Sequence, residues 1–552
     1  MNISRRKGIL SLNASSDNAT VPPPRRDLKE PLSISVILTA GFLIRLPGIL
    51  STGFLSDESV YYYAAYAIER GVTPYTLIML PHPPIGYLFL IPAAVLAQGS
   101  LLILRTFNLC TFLVDAFLSY WLFRILRQQS AKSFNPLLAF ALFTLYPLPF
   151  TTTTPLEFTV FDIPILLGTI FFVKGLTKKS ASRLAFSGFL LGIAVMIWFT
   201  AAFYAVSIIG FLAIYRSRAD TGQFLKIFTK RAAAILMGGS VAIGLVLGLI
   251  IAWGALPNFL VQSVGLQTSL RAAFTFGERL NHIVLAMLQL LPVFVLAGVG
   301  VYEVSRRVKS GADPLILLPA WVLIANLILV FAIPRIVLNH YVAYLMPFLV
   351  IMAAGPVERF AHVIYRMPKR LAKPIPWDIF QSALAIGLIA SGVIIFPYQT
   401  GFLVNSPYTV ADQTVGQYVA NITLPGNAIW TSEGSVAYFA SRLIQPPNST
   451  QWPFQAEYND IFNTTYVDSD GIIQRGLGAV SPSQFVNAWQ SHNTKVLIFI
   501  LGNGPVPYPD TLLWDGFSGT PGVMQWVGQN YNLVRIFTFP NVSYQYFVWL
   551  KK

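Results

Sequence analysis

Eleven apolar runs, near 32–50, 101–123, 134–150, 158–173, 184–197, 199–214, 233–253, 283–302, 314–333, 341–355 and 379–396, are separated by short connections, and the basic residues gather in every second connection. Segments 1–31, 124–133, 174–183, 215–231, 304–313 and 356–378 hold 26 Lys and Arg, whereas the runs and the other connections hold six. A run of about 20 apolar residues is what a bilayer crossing requires. Loops on the cytoplasmic side collect Lys and Arg, so the basic segments mark that side. An odd number of crossings then places everything after about residue 397 outside. The pattern predicts a polytopic α-helical membrane protein of about 11 spans, multi-pass in the plasma (cell) membrane, with a cytoplasmic N-terminus.

Composition agrees. With 55% hydrophobic and 11% charged residues and a mean hydropathy of +0.60, the chain has too little polar surface for a water-soluble globule. The net charge of +15 sits in loop clusters between apolar runs, a distribution that argues against a nucleic-acid partner and for membrane lipids. The one cysteine, Cys110, rules out an internal disulfide and a cysteine metal cage. Residues 1–31 carry RRK and PPPRR without a compact hydrophobic segment and cleavage site, so a disordered cytoplasmic tail is expected there rather than a signal peptide.

The membrane module is expected over 32–397. Within it, IGYLFLIPAAVLA at 85–97 is apolar but only 13 residues long and contains Pro92. The chain must be outside near 57 and inside near 127, and a single crossing at 101–123 satisfies both, leaving 85–97 as an interfacial or re-entrant helix; a transmembrane hairpin is the alternative. Residues 51–100 then form one long outer loop with amphipathic surface helices, the first opened by Ser56 and closed by Gly71. The tail, 398–552, has six basic and eight acidic residues, and reads as a separate extracytoplasmic domain. Helix-like VADQTVGQYVANI and SPSQFVNAWQS alternate there with strand-like AIWTS, KVLIFIL, LVRIFTF and YQYFVWL, the signature of a small α/β domain. Its four Asn-X-Ser/Thr triplets, at Asn421, Asn448, Asn463 and Asn541, are candidate glycosylation sites. Those at Asn2, Asn13 and Asn18 fall on the cytoplasmic side and should be silent.

The polar residues placed at the outer membrane boundary suggest chemistry. They are Asp57, Glu58, Glu69, Glu157, Asp162 and Glu278, with His82, His282 and His340, and six arginines without one lysine: Arg45, Arg70, Arg105, Arg271, Arg279 and Arg335. Arginine grips phosphate oxygens in two bonds and stays charged at low dielectric. Carboxylates beside such arginines fit group transfer from a phosphate-bearing lipid: a carboxylate takes the proton of an attacking hydroxyl, and cationic donors stabilise the departing phosphate. Asp57 or Glu58 would be the base. Plainer roles are expected for several others. Glu69 with Arg70 solvates a helix end, Glu278 with Arg279 is a loop ion pair, His282 is an interfacial residue, and Asp115, in mid-span, neutralises an interior polar contact.

The stretch from Arg45-Leu-Pro through Asp57-Glu58, Gly71-x-x-Pro74-Tyr75 and His82-Pro83-Pro84-Ile85-Gly86-Tyr87 resembles the first outer loop of the GT-C glycosyltransferases, among them the protein O-mannosyltransferases and the bacterial aminoarabinose transferase of lipid A. The likeness continues through Arg105, Phe161-Asp162 and RIVLNHYVAYLMPF at 335–348, and covers roughly residues 32 to 355. It implies an inverting transferase that uses a polyprenyl (dolichyl) phosphate sugar on the extracytoplasmic side, with a protein, glycan or lipid as acceptor. By that resemblance Asp57 matches the general base and Glu58 supports it or touches the acceptor. His82 lies near the donor phosphate, Asp162 is a second acidic position in the cavity, and Arg105, Arg335, His340 and Tyr341 are phosphate or sugar-site candidates. There are departures. Where relatives often have a lysine near 197–200 this chain reads Ile197-Trp198-Phe199-Thr200, and no WWDYG-like block occurs in the tail, where Trp514-Asp515-Gly516 is a partial echo, which argues against an oligosaccharyltransferase. No cofactor is required by this reading; Asp57, Glu58 and Asp162 could hold a divalent cation through oxygen, and the metal is left open. A transporter or flippase of polyprenyl-phosphate-linked sugars is the alternative, though such proteins concentrate charge near the midplane, where only Asp115 sits here. A glycosylated surface-layer anchor would leave 51–100 unexplained. Sequon-rich, disulfide-free outer sequence is compatible with an archaeal surface protein.

Overall fold

The computed structural model describes residues 29–50, 56–76, 82–97, 99–129, 135–145, 160–215, 221–265, 290–332, 345–366, 407–431, 434–442, 493–502, 523–542 and 544–552, with isolated positions and short segments between them. The eleventh apolar run, 379–396, lies outside them. Helices build the first two thirds: α1 (Lys29–Leu50), α2 (Ser56–Glu69), α3 (Pro84–Ala97), α4 (Leu101–Gln129), α5 (Pro136–Leu145), α6 (Phe161–Thr177), α7 (Ala181–Val195), α8 (Ala201–Ile214), α9 (Thr221–Ala252), α10 (Leu256–Phe259) with a π-turn over Leu260–Gly265, α11 (Leu291–Lys309), α12 (Leu318–Ala332) and α13 (Met346–Arg366). Ten of the eleven apolar runs thus overlap a helix. Among the described residues, two stretches are long and apolar enough to cross a membrane by length and composition, Leu101–Gln128 and Gln223–Ala252. The crossings expected at the shorter helices rest on the sequence pattern.

The outer surface of this module is greasy. On α9, Leu236, Met237, Val241, Leu245 and Ile251 are each more than half exposed. Apolar surface of that extent is stable against lipid tails rather than water. Between helices, where lipid removes the hydrophobic incentive to associate, small residues permit backbone contact. A methyl group added to Gly188 of α7 would stand 1.9 Å from the Ile235 carbonyl oxygen of α9, and one on Gly238 of α9 would stand 1.8 Å from the Ala185 carbonyl oxygen of α7. The same device joins α11 to α13, where a methyl on Gly300 would lie 1.8 Å from the Met352 carbonyl oxygen. Pro356 lies inside α13 and has no N–H to give that carbonyl, so the helix leaves it open to its neighbour.

Basic residues gather at particular helix ends. Arg127 closes α4, Lys174 closes α6, Arg306, Arg307 and Lys309 close α11, and Lys226, Lys230 and Arg231 lie in the opening turns of α9. α2 packs on α3, and α3 on α4. α2 and α3 have 14 residues each, about 21 Å of helix, against the roughly 30 Å of a hydrocarbon core. Gly71 ends α2 at φ 85°, its N–H meeting the Ile68 carbonyl at 3.0 Å while Val72 N–H reaches the Ala67 carbonyl at 3.0 Å. This double closure needs a left-handed residue, which glycine supplies without strain.

The tail is an α/β unit. β1 (Ile429–Thr431), β4 (Val496–Gly502), β5 (Tyr531–Thr538) and β6 (Tyr544–Lys551) form one sheet in the order β1-β4-β6-β5, and β2 (Tyr466–Val467) with β3 (Ile473–Gln474) forms a small second one. β1 runs parallel to β4 and the other pairs are antiparallel. Helices α14 (Pro407–Ile422), α15 (Gly434–Ala440) and α16 (Val523–Asn530) accompany the sheet. β4 is VLIFILG, and its described residues Val496–Ile500 are buried; such an unbroken apolar run belongs to a central strand. α15 packs on α2 of the membrane module, Tyr438 meeting Tyr66 edge to face at 6.3 Å between ring centroids.

Candidate active site

Several of the residues named from the sequence depend on one another for position. α2 carries Asp57 and Glu58 in its first turn, and their side chains lie outside the described residues. Below that turn come Tyr61, Tyr62, Tyr63 and Tyr66, all buried. Tyr61 stands four residues after position 57, hence on the same helix face, and its ring lies 6.0 Å from that of His82 and 6.0 Å from that of Tyr87. Tyr62 donates from its hydroxyl to Oδ1 of Asn108 on α4, with the Leu104 carbonyl 3.3 Å away. Asn108 is one turn from Arg105, which is fully buried in the opening turns of α4. A buried guanidinium is retained only among groups that satisfy its charge and donors.

His82 is fixed on two sides. Its imidazole stacks on the indole of Trp198 with centroids 4.0 Å apart and planes inclined by 21°. Trp198 belongs to the turn between α7 and α8, at the position where the family resemblance leads one to look for a lysine. That turn is tied to the same loop by a hydrogen bond from Ile85 N–H to the Met196 carbonyl, 3.2 Å. The backbone of His82 accepts from the Tyr75 hydroxyl at 2.7 Å. Tyr75 itself sits at φ 64°, and the π-turn after α9 holds it there: Gln262 donates through Nε2 to the Tyr75 carbonyl at 2.8 Å and accepts from Leu80 N–H at 3.2 Å, and Ser263 donates to the Leu80 carbonyl at 3.0 Å. The loop that presents His82 is therefore clamped by residues some 180 positions away. Sequence reasoning missed Trp198, Gln262 and Ser263, because stacking and long-range amide bonds leave no local periodic signal.

Asp162 lies in the first turn of α6 and is buried. Beside it Phe161 meets Tyr204 of α8 edge to face at 6.1 Å. Asp115 of α4 is buried as well. The expectation that it neutralises an interior polar contact is corrected: neither of its carboxylate oxygens has a hydrogen-bond partner among the described residues. Glu69 and Arg70 form the expected exposed pair at 3.0 Å. Burial pushes the Tyr66 phenol above its ordinary range, with Arg70 and Arg442 pulling the other way.

Arg335, His340 and Tyr341 lie outside the described residues, as do Glu157, Arg271, Glu278, Arg279, His282, Asn448 and Asn463. Asn421 at the end of α14 and Asn541 in the β5–β6 turn are exposed. Among the described residues no three His, Cys, Asp or Glu side chains stand together to hold a metal ion; Asp57 and Glu58 are not among those side chains.

No family model matches the chain, and no curated protein matches its sequence. Solved structures do resemble it. ArnT from Cupriavidus metallidurans bound to undecaprenyl phosphate is 14% identical with a TM-score of 0.55, the match spanning 94% of this chain and 97% of that one. The Archaeoglobus fulgidus oligosaccharyltransferase tethered with an acceptor peptide is 13% identical with a TM-score of 0.50, over 94% of this chain and 74% of that one. Its apo form gives 11% and 0.51, over 86% and 70%. Identities so low speak for fold alone: the chain shares with these solved structures the arrangement of a helical module followed by a C-terminal domain.

Proposed function

We propose that the chain is an inverting glycosyltransferase that moves a sugar from a polyprenyl-phosphate donor to an acceptor on the extracytoplasmic side, with Asp57 as general base. The observation that carries this reading is the joining of α2, the His82 loop and the start of α4 through Tyr61, Trp198 and the Tyr62–Asn108 bond. α2 carries Asp57 and Glu58 in its sequence, the loop after it carries His82, and α4 carries the buried Arg105. The fold shared with a transferase solved with undecaprenyl phosphate supports the donor class.

In the proposed step the acceptor hydroxyl oxygen forms a bond to the anomeric carbon as the bond from that carbon to the phosphate oxygen breaks. The hydroxyl proton passes to the Asp57 carboxylate, and the electron pair leaves on the lipid phosphate. Attack opposite the leaving group inverts the anomeric centre. Arg105 and His82 are the cationic donors assigned to the departing phosphate, with Arg335, His340 and Tyr341 as further members of the donor site. Glu58 supports the base, and Asp162 lines the cavity on the acidic side. The reading needs no cofactor; a divalent cation on Asp57 and Glu58 would add charge stabilisation to the same step.

The test is turnover of polyprenyl-phosphate hexoses with hydroxyl acceptors by the purified chain in detergent. Asp57→Asn is expected to lower kcat at least 100-fold, the lower range for loss of a general base, while donor binding is retained. Equal turnover in the variant dismisses the assignment, and donor binding without any transfer in the parent favours a carrier of the lipid over an enzyme.

A further inference from the structure

The helix that bears Asp57 is covered by a part of the chain outside the membrane module. From Tyr61 to Ala67 every residue of α2 is buried, although an amphipathic helix packed on one side only would leave a face open. The cover is α15 of the tail, which packs on α2 with Tyr438 edge to face against Tyr66, 6.3 Å between ring centroids. The backbone of α15 also rests on the turn between α3 and α4. A methyl on Gly99, at φ 90°, would stand 3.8 Å from the Tyr438 carbonyl oxygen and 3.9 Å from the Phe439 Cα.

The contact acts on α2 from behind. A helix turns about 100° per residue, so position 66 lies about 140° around α2 from Tyr61 and about 180° from position 57. Tyr61 faces the His82 loop, its ring 6.0 Å from the imidazole. Tyr438 therefore bears on the side of α2 turned away from Asp57, and the helix is held between the two contacts. Such a support is effective only where it is itself stiff, and α15 is braced. Gly416 lets α14 approach it so closely that a methyl there would lie 2.8 Å from the Val436 carbonyl oxygen. Just past α15, the buried Arg442 donates to the Ala420 and Thr423 carbonyls at the end of α14, at 3.0 and 2.7 Å, and to the Ala440 carbonyl at 3.0 Å. One guanidinium thus ties the C-terminal ends of both helices together.

We propose that Tyr438 is a positioning residue for the transfer reaction: by bracing α2 at Tyr66 it keeps the Asp57 face of the helix turned toward the His82 loop. The inference rests on the transferase reading for its effect on rate, and not for the contact itself. Loss of the brace misplaces the base without removing a group that binds the donor, and a misplacement of about 1 Å can cost up to about 100-fold in rate.

The test joins two measurements on the full chain in detergent. Tyr438→Ala should lower kcat about tenfold with donor KM changed by less than about twofold. It should also speed hydrogen exchange of the α2 amides about tenfold while exchange in α7 and α9 is unchanged. Tyr438→Phe keeps the ring and should restore both. Tyr438→Leu fills the space without a ring and gives the same comparison where the alanine chain does not fold. In a Tyr66→Ala background, Tyr438→Ala should add less than about twofold to the loss. The control is Leu533→Ala, in β5 at the edge of the sheet opposite β1, which should change neither measurement. Unchanged α2 exchange, faster exchange with unchanged kcat, or additive losses in the double variant each overturn the proposal. A parent chain that transfers no sugar sinks the transferase reading instead; α2 exchange in Tyr438→Ala then decides by itself whether α15 holds the helix, a faster rate supporting the brace and an unchanged one overturning it.

Discussion

His82 lies face to face with Trp198 at 4.0 Å, so the indole fixes the plane of the imidazole that the proposed function assigns to the donor phosphate. An aromatic face attracts a protonated imidazole and holds its plane, a contribution of about 0.5–2 kcal/mol. Trp198→Ala should therefore reduce kcat/KM about tenfold with the fold retained, and Trp198→Phe should recover most of it. Measuring both against His82→Ala, in which the indole has lost its partner, separates the stack from general packing; if Trp198→Ala costs the same in the His82→Ala background, the stack has no role. Asp115 is the residue whose environment was read least well from sequence. A single acid in an apolar run suggests a basic or hydrogen-bonding neighbour, and among the described residues its carboxylate has none.

At the scale of elements, helix contact is governed by where side chains are missing. Gly188 and Gly238 each put a Cα against a carbonyl of the opposite helix, whereas Gly244 of α9 has nothing within 4 Å of where a methyl would sit. Gly188→Leu should destabilise the purified protein by about 3 kcal/mol or more, the upper range for forcing atoms into a packed contact, seen as a lowered melting temperature in detergent. Gly244→Leu should be close to neutral in the same assay. Equal melting of the two variants would show that α7 and α9 do not touch in solution. The short helices α2 and α3 follow a different rule: α2, expected as an amphipathic surface helix, is buried on every side from Tyr61 to Ala67, α3 contains Pro92, and the loop between them is held by Gly71 and by the clamp from Gln262 and Ser263.

Taken as a whole, the chain segregates charge. Basic residues close α4, α6 and α11 and open α9, the pattern from which the positive-inside rule predicts a cytoplasmic side for those ends. Cys110 is the only cysteine, so a Cys110→Ser background allows single cysteines to be placed at positions 13 and 541. In sealed spheroplasts an impermeant maleimide should label the second and spare the first. The reverse pattern would put the candidate site inside and remove its access to an outer acceptor. The contact of Tyr438 on Tyr66 gives the two parts of the chain a shared surface directly behind the helix that bears Asp57.

What the sequence determined by itself is everything that depends on periodicity and on partition between water and lipid. The helices at ten of the apolar runs, the helix from Ser56 closed at Gly71 and the strands at AIWTS, KVLIFIL, LVRIFTF and YQYFVWL are all of this kind, because each is decided by the residues within one element. Only the tertiary structure decided which distant groups meet: Trp198 on His82, Gln262 across the Tyr75–Leu80 loop, Tyr62 on Asn108, and the open carbonyl of Met352 against Gly300. Those contacts join elements 40 to 190 residues apart on the order of chain separation, and a hydrogen bond or a stacked ring between such partners is set by how helices cross, which no local pattern encodes.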